Sequence, residues 1–166
     1  MQVNIALLTI TDTRTLSTDK SGAILVKKIE EQNHNLIERK IVKDNKEDIK
    51  KILSDWIQKN NLDVIITTGG TGLTGRDITP EAIKEITDKE IPGFGELFRE
   101  LSYKTVGTSA MQSRACAVLA NGKYIFALPG SSGGVTDAWE GILKYQLDIN
   151  HKPCNFVELF PRLKEK

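Results

Sequence analysis

The chain has 166 residues, 39% of them apolar and 27% charged, and a net charge of +1. That length fits one domain, residues 1–166, with a single core and an ordinary globular composition. The balanced charge, without a Lys/Arg cluster, excludes a nucleic-acid surface, and no apolar run nears the about 20 residues that span a membrane.

Residues 3–10 read as a first strand that begins almost at Met1. No basic leader or cleavage site precedes it, so no signal peptide is expected. A polar loop (11–19) leads to a helix over about 20–32, in which Lys27 and Lys28 belong to a solvated face. Residues 35–42 alternate weakly, as an edge strand does. Ile49, Ile52, Leu53, Trp56 and Ile57 then recur at i, i+3, i+4, i+7 and i+8, the apolar stripe of an amphipathic helix. Asp44 stands at its start, and Asp44-x-x-Glu47 has the spacing of a capping box, so on local grounds Asp44 reads as a cap.

Residues 63–68 form a short β-branched run, the pattern of a strand buried on both faces. It passes straight into Gly69-Gly70-Thr71-Gly72, then Leu73-Thr74-Gly75-Arg76-Asp77. Side-chain-free backbone after a strand lets a phosphate approach main-chain N–H groups. One glycine would serve a tight turn, whereas four in seven residues point to a ligand. Thr79 reads as the next N-cap, with Pro80 at the first helical position and Glu81 at the positive end of the dipole. Pro92-Gly93 reads as a break, and Phe94, Leu97, Phe98 and Leu101 mark a further helix face. Residues 115–119 and 124–128 flank Asn121-Gly122, a strong hairpin signal. The second of these strands ends in Pro129-Gly130-Ser131-Ser132-Gly133-Gly134, before a helix carrying Val135, Ala138, Trp139, Ile142 and Leu143 on one face.

Alternating strands and helices imply an α/β fold, with a mostly parallel sheet covered on both faces and one hairpin. In such sheets the loops 11–19, 69–78 and 129–134 gather on one carboxyl edge, where ligands bind. Gly70 through Gly75 match G-x-G-x-x-G literally, but Pro80 starts the helix too late for a dinucleotide fingerprint, and no Gly-Lys-Ser/Thr follows for a Walker A loop. Asp77 stands at the cradle's exit. Two carboxylates meeting at about 4 Å would repel by roughly 4 kcal/mol at an effective dielectric near 20. A divalent cation shared with a phosphate reverses that sign, an arrangement that suits magnesium. Asp12 and Arg14 stay open between turn chemistry and ligand contact. Cys116 and Cys154 lack C-x-x-C spacing and fit reduced thiols in a cytoplasmic protein. His34 and His151 offer no zinc site or triad.

Thr68-Gly69-Gly70-Thr71-Gly72 followed by Asp77, Thr79-Pro80-Glu81, Ile91-Pro92-Gly93-Phe94, Ser113-Arg114 and Leu128-Pro129-Gly130-Ser131 together resemble the molybdenum cofactor biosynthesis protein B (MoaB) family and the related molybdopterin adenylyltransferases (MogA). The resemblance covers essentially the whole chain. It implies a three-layer α/β/α sandwich, homotrimers or hexamers, and magnesium-dependent transfer of AMP from ATP to the phosphate of molybdopterin with release of pyrophosphate. A separate molybdate-inserting enzyme then takes the product. Carried over by position, Asp77 and Asp44 match two essential acids and candidate metal ligands. Thr68, Gly69, Gly70, Thr71 and Gly72 match the pterin-phosphate cradle, with Gly130, Ser131 and Ser132 in the second loop and Thr11 and Asp12 in the first. A non-catalytic molybdopterin carrier is the alternative. The attacking phosphate is already anionic, so no histidine base is required. Phe94, Phe98, Tyr103, Phe156 and Phe160 read either as spare apolar surface that favours oligomers or as simple core packing.

Overall fold

In the computed structural model, which describes residues 1–165, the apolar runs become strands β1 (Asn4–Ile10), β2 (Asn35–Val42), β3 (Val64–Thr68), β5 (Cys116–Ala120) and β6 (Lys123–Leu128). A two-residue strand, β4 (Lys89–Glu90), completes a sheet in the order β2-β1-β3-β6-β5-β4. The first four positions run parallel, whereas β5 is antiparallel to β6 and β4 to β5. The hairpin falls where expected: Asn121 (φ 47°) and Gly122 (φ 72°) both occupy the left-handed region that a two-residue primed turn demands.

Alternation along each strand sends side chains to two separate cores. Ile5, Leu7, Ile66 and Phe126 face one layer, made by α1 (Lys20–Glu31), α4 (Pro92–Val106) and α5 (Ser132–Ala138) with the π-turn Trp139–Leu143 that continues it. Ala6, Leu8, Ile65 and Ile125 face the other, made by α2 (Lys46–Ile57) and α3 (Thr79–Lys84). The three layers are thus present. β3 and β6 are buried along their whole length, as their continuous apolar sequence requires, and β2 is the half-exposed edge.

Several local readings are corrected. The cap of α2 is Asn45, whose extended backbone (φ −127°, ψ 121°) lets its side chain accept from the Asp48 N–H at 3.1 Å; Asp44 lies just outside the helix. Thr79 is not a cap either. It is the first residue of α3, and its buried hydroxyl donates to the Gly69 carbonyl at 2.9 Å. Pro92 does not break the chain but opens α4, where its missing N–H is harmless. On α4, Phe94 and Phe98 are core, while Leu97 points outward at 44% exposure. Phe156 and Phe160 pack on Tyr124, with ring centroids 4.6 and 5.8 Å away. Of the five aromatic residues left open between surface and core, four pack in or against the core and only Tyr103 is exposed; Val106 and Met111 are exposed nearby. Among the described residues no helix is long and apolar enough to cross a membrane.

Candidate functional site

Strand order reverses direction at β1: the chain steps outward to β2, then returns to β3 on the other side. Loops leaving β1 and β3 therefore diverge and open a crevice at the sheet's carboxyl edge. A cleft of about 970 Å³ lies there, walled by the loops after β1, β3 and β6 and extending between α4 and α5.

Gly69 is the point where the three loops meet. It takes φ 105°, and a Cβ there would sit 2.2 Å from the Ile10 carbonyl oxygen, so only glycine fits. Its N–H donates to Leu128 O at 3.0 Å, while the Thr68 hydroxyl donates to Pro129 O at 2.8 Å. Arg14 reaches from the first loop to the third, donating to Gly130 O at 3.4 Å.

The two acids approach the cradle from opposite ends. A Cβ on Gly70 would lie 3.4 Å from Asp44 Oδ1, and one on Gly72 only 2.7 Å from Asp77 Oδ2. Asp77 closes a turn by accepting from the Thr74 N–H and hydroxyl at 2.9 and 2.7 Å. Burial works against its charge, but these hydrogen bonds prevail and hold its carboxyl below the usual range. Asp44 behaves oppositely. Burial pushes its carboxyl up, the neighbouring charge of Asp12 adds to this, and Asp77 contributes further against the partial relief from Arg76. Arg76 donates through Nε and Nη2 to Asp12 Oδ2 at 3.0 and 2.6 Å, and this hydrogen bonding lowers Asp12. Asp12 Oδ1 accepts the Asp44 N–H at 3.1 Å, so Asp12 ties the first loop to the second acid.

Thr11, Asp44, Thr68, Gly69, Gly70, Thr71, Gly72, Asp77, Gly130 and Ser131 all line the cleft. Asp12 and Ser132 stand off its wall. The Ser131 hydroxyl accepts from the Gly134 N–H at 3.1 Å and caps α5. Thr11 supports its own loop by accepting from the N–H groups of Thr13 and Arg14.

Two groups escaped the sequence reading of the site. Arg114 fastens the glycine loop: Nε donates to Gly72 O and Nη2 to Asp77 O, each at 2.7 Å, Nη1 pairs with Glu81, and its main-chain N–H donates to Thr71 O at 2.9 Å. Beneath the cleft, Asp19 has a fully buried side chain that accepts from Thr9 Oγ1 (2.6 Å), the Gly22 N–H (2.9 Å) and Arg39 Nη2 (3.0 Å). The signal for Asp19 was in the sequence, as a capping residue directly before the first helix. Arg114 gave none beyond the family motif.

A hard dication fits the donor set. Asp44 and Asp77 supply carboxylate oxygens, and a cation would offset the burial and the like charges that raise Asp44. Among the described residues no three His, Cys, Asp or Glu side chains are placed to hold a metal by themselves. Phosphate or water oxygens would have to complete the shell of such an ion, an arrangement magnesium prefers.

Residues 6–148 match the family described as a probable molybdopterin binding domain. The chain is 44% identical over 161 residues to molybdenum cofactor biosynthesis protein B of Escherichia coli (strain K12), covering 97% of this chain and 93% of that protein. A crystal structure of a molybdenum cofactor biosynthesis protein B superposes with a TM-score of 0.89 at 40% identity, covering 100% of this chain and 98% of the other. A MogA structure does so with a TM-score of 0.80 at 30% identity, covering 87% and 95% respectively.

Proposed function

The chain belongs to the molybdopterin-binding domain family, among the B-type proteins of molybdenum cofactor biosynthesis, and on that premise we propose that it is a molybdopterin adenylyltransferase. The reaction joins the terminal phosphate of molybdopterin to the α-phosphorus of ATP. A new P–O bond forms there as the bond to the bridging oxygen breaks, and pyrophosphate leaves. The carrying observation is that Asp44 and Asp77 converge on opposite ends of one backbone cradle.

Main-chain N–H groups of Gly70, Thr71 and Gly72 hold the pterin phosphate, while Gly69, whose own N–H is engaged by Leu128 O, brings the loop against it, with Thr68 beneath. Asp44 and Asp77 would hold Mg2+, which would supply charge neutralisation on the phosphate oxygens. Arg14 and Arg76 are the cationic side chains lining the cleft and stand ready to meet the triphosphate. Alignment and charge stabilisation suffice because the nucleophile needs no deprotonation. Incubation with molybdopterin, ATP and magnesium should yield adenylylated pterin and pyrophosphate. Pterin binding without any product at high enzyme concentration would instead identify a carrier that hands the intermediate on.

A further inference from the structure

Under the cleft floor lies a carboxylate that the proposed chemistry does not use. Asp19 caps α1, and its side chain is fully buried. Four donors converge on it. Oδ2 accepts from Thr9 Oγ1 at 2.6 Å and from Arg39 Nη2 at 3.0 Å; Oδ1 accepts from the Gly22 N–H at 2.9 Å and from Ser21 Oγ at 3.3 Å. Two carboxylate oxygens offer about four lone-pair sites, so none is left for a ligand or a metal. Burial opposes its charge, but the bonds from Thr9, Gly22 and Arg39 prevail and hold the carboxyl below the usual range.

A helix cap alone needs none of this, since Asn or Ser would serve as well. The extra contacts reach across the sheet. Arg39 comes from β2, and its buried Nε has no acceptor among the described residues, a penalty that accompanies bringing Nη2 to Asp19. Thr9, on β1, stands in register with Thr68 at the end of β3. Ser21 Oγ lies 3.3 Å from the Thr68 hydroxyl, which donates to Pro129 O at 2.8 Å. Thr9, Ser21 and Thr68 all line the cleft. The fit is close: a Cβ on Gly22 would sit 2.0 Å from Asp19 Oδ2 and 2.8 Å from Thr9 Oγ1. One carboxylate is thus bonded to the strand that feeds the first loop and, through Ser21 and Thr68, to the glycine loop and the third.

We infer that Asp19 is a positioning residue: it holds the protons of Thr9 and Ser21 on the buried side, and so fixes the floor hydroxyls and, through Thr68, the spacing of the three loops around the cleft. The inference rests on the proposed function for what that spacing serves.

Asp19→Asn keeps the cap, because its amide oxygen still accepts from Gly22. Its amide nitrogen then takes the place of Oδ2, faces the Arg39 donor and forces the Thr9 hydroxyl to turn its proton toward the cleft. Turnover per folded molecule should fall at least about tenfold, with KM for magnesium–ATP within about twofold of the parent. Amide exchange followed by NMR supplies a reading that needs no catalysis. It should quicken at least about tenfold at Gly69, whose N–H is bonded to Leu128 O, while Ile49 in α2, bonded to Asn45 O, keeps the parent rate. Ser21→Ala leaves the cap and the ion pair in place and should show the same pattern in smaller measure; it decides alone should the Asn variant not fold. Exchange that is unchanged at Gly69, exchange that rises equally at Ile49, or a loosened Gly69 with full turnover would each overturn the assignment. A parent protein without adenylyl transfer removes the function, and the comparison of Gly69 with Ile49 then judges Asp19 by itself.

Discussion

Arg114 should be worth more to this protein than its peripheral position suggests, and Arg114→Met tests it with the packing of the stem retained. The substitution removes two charge-assisted hydrogen bonds to main-chain carbonyls, at Gly72 and Asp77. With 31% of the side chain exposed, each is taken at the low end for such bonds, about 1.5 kcal/mol, or about 3 kcal/mol for the pair. The Glu81 partner is half-exposed and adds little. For a chain of this length each kcal/mol moves the melting temperature by about 2–4 °C, so a fall of about 6–12 °C is expected. Both lost anchors lie on the segment that carries Asp77, and a shift of about 1 Å in a catalytic group can cost as much as 10²-fold. Turnover should thus drop by about 10- to 100-fold. Arg114→Lys, a single donor point in place of a planar fork, should fall between parent and Met variant. Thermal melts and initial rates of pyrophosphate release, taken well below each variant's transition, measure both effects. A Met variant that melts with the parent and turns over normally would refute the reasoning. A lowered melt with full turnover would show that the arginine holds the fold and not the chemistry.

Asp77→Asn should lower turnover by at least about 10²-fold while leaving pterin binding nearly intact, because the backbone cradle is untouched. Turnover per folded molecule checks this, and near-normal activity would move the chemistry elsewhere. Asp44 gives a prediction of opposite sign for stability. Its folded carboxyl is raised, so its favourable contribution is full below the unfolded value and lost as pH rises through the folded one. In the presence of a chelator, Asp44→Asn should therefore melt at or above the parent at neutral pH, with the difference shrinking toward about pH 4, while turnover falls. A variant that melts lower at neutral pH would contradict the electrostatics. Light scattering at micromolar concentration should give the mass of a trimer or hexamer, and a monomeric mass removes that expectation.

Strands and cradle were legible because their causes are local. The β-branched run of β3, the Asn121-Gly122 turn and the apolar stripe of α2 each carry their own period or turn chemistry. Legibility failed where distant partners decide. Asp44 has capping-box spacing, yet Asn45 takes the cap because its backbone is extended there, which leaves the acid facing the cradle. Thr79 has the composition of a cap, yet a carbonyl ten residues upstream claims its hydroxyl. The role of Arg114 depends on contacts 37 and 42 residues away, which no local pattern encodes. Strand β4 exists only because β5 is there to pair with it.

That short strand has a consequence for how copies of the chain can meet. One border of the sheet ends in Lys89 and Glu90, both exposed, and the other in β2, whose Glu38, Arg39 and Lys40 place charge along its length. A border only two residues long, or one studded with charge, is a poor template for an added strand. Growth of the sheet from one molecule into the next is thereby discouraged at both ends. Any association between copies would have to use the helices and loops instead, where Tyr103, Val106 and Met111 stand exposed around the end of α4. A stable assembly should therefore be held by side-chain packing and not by a sheet continued from one molecule into the next.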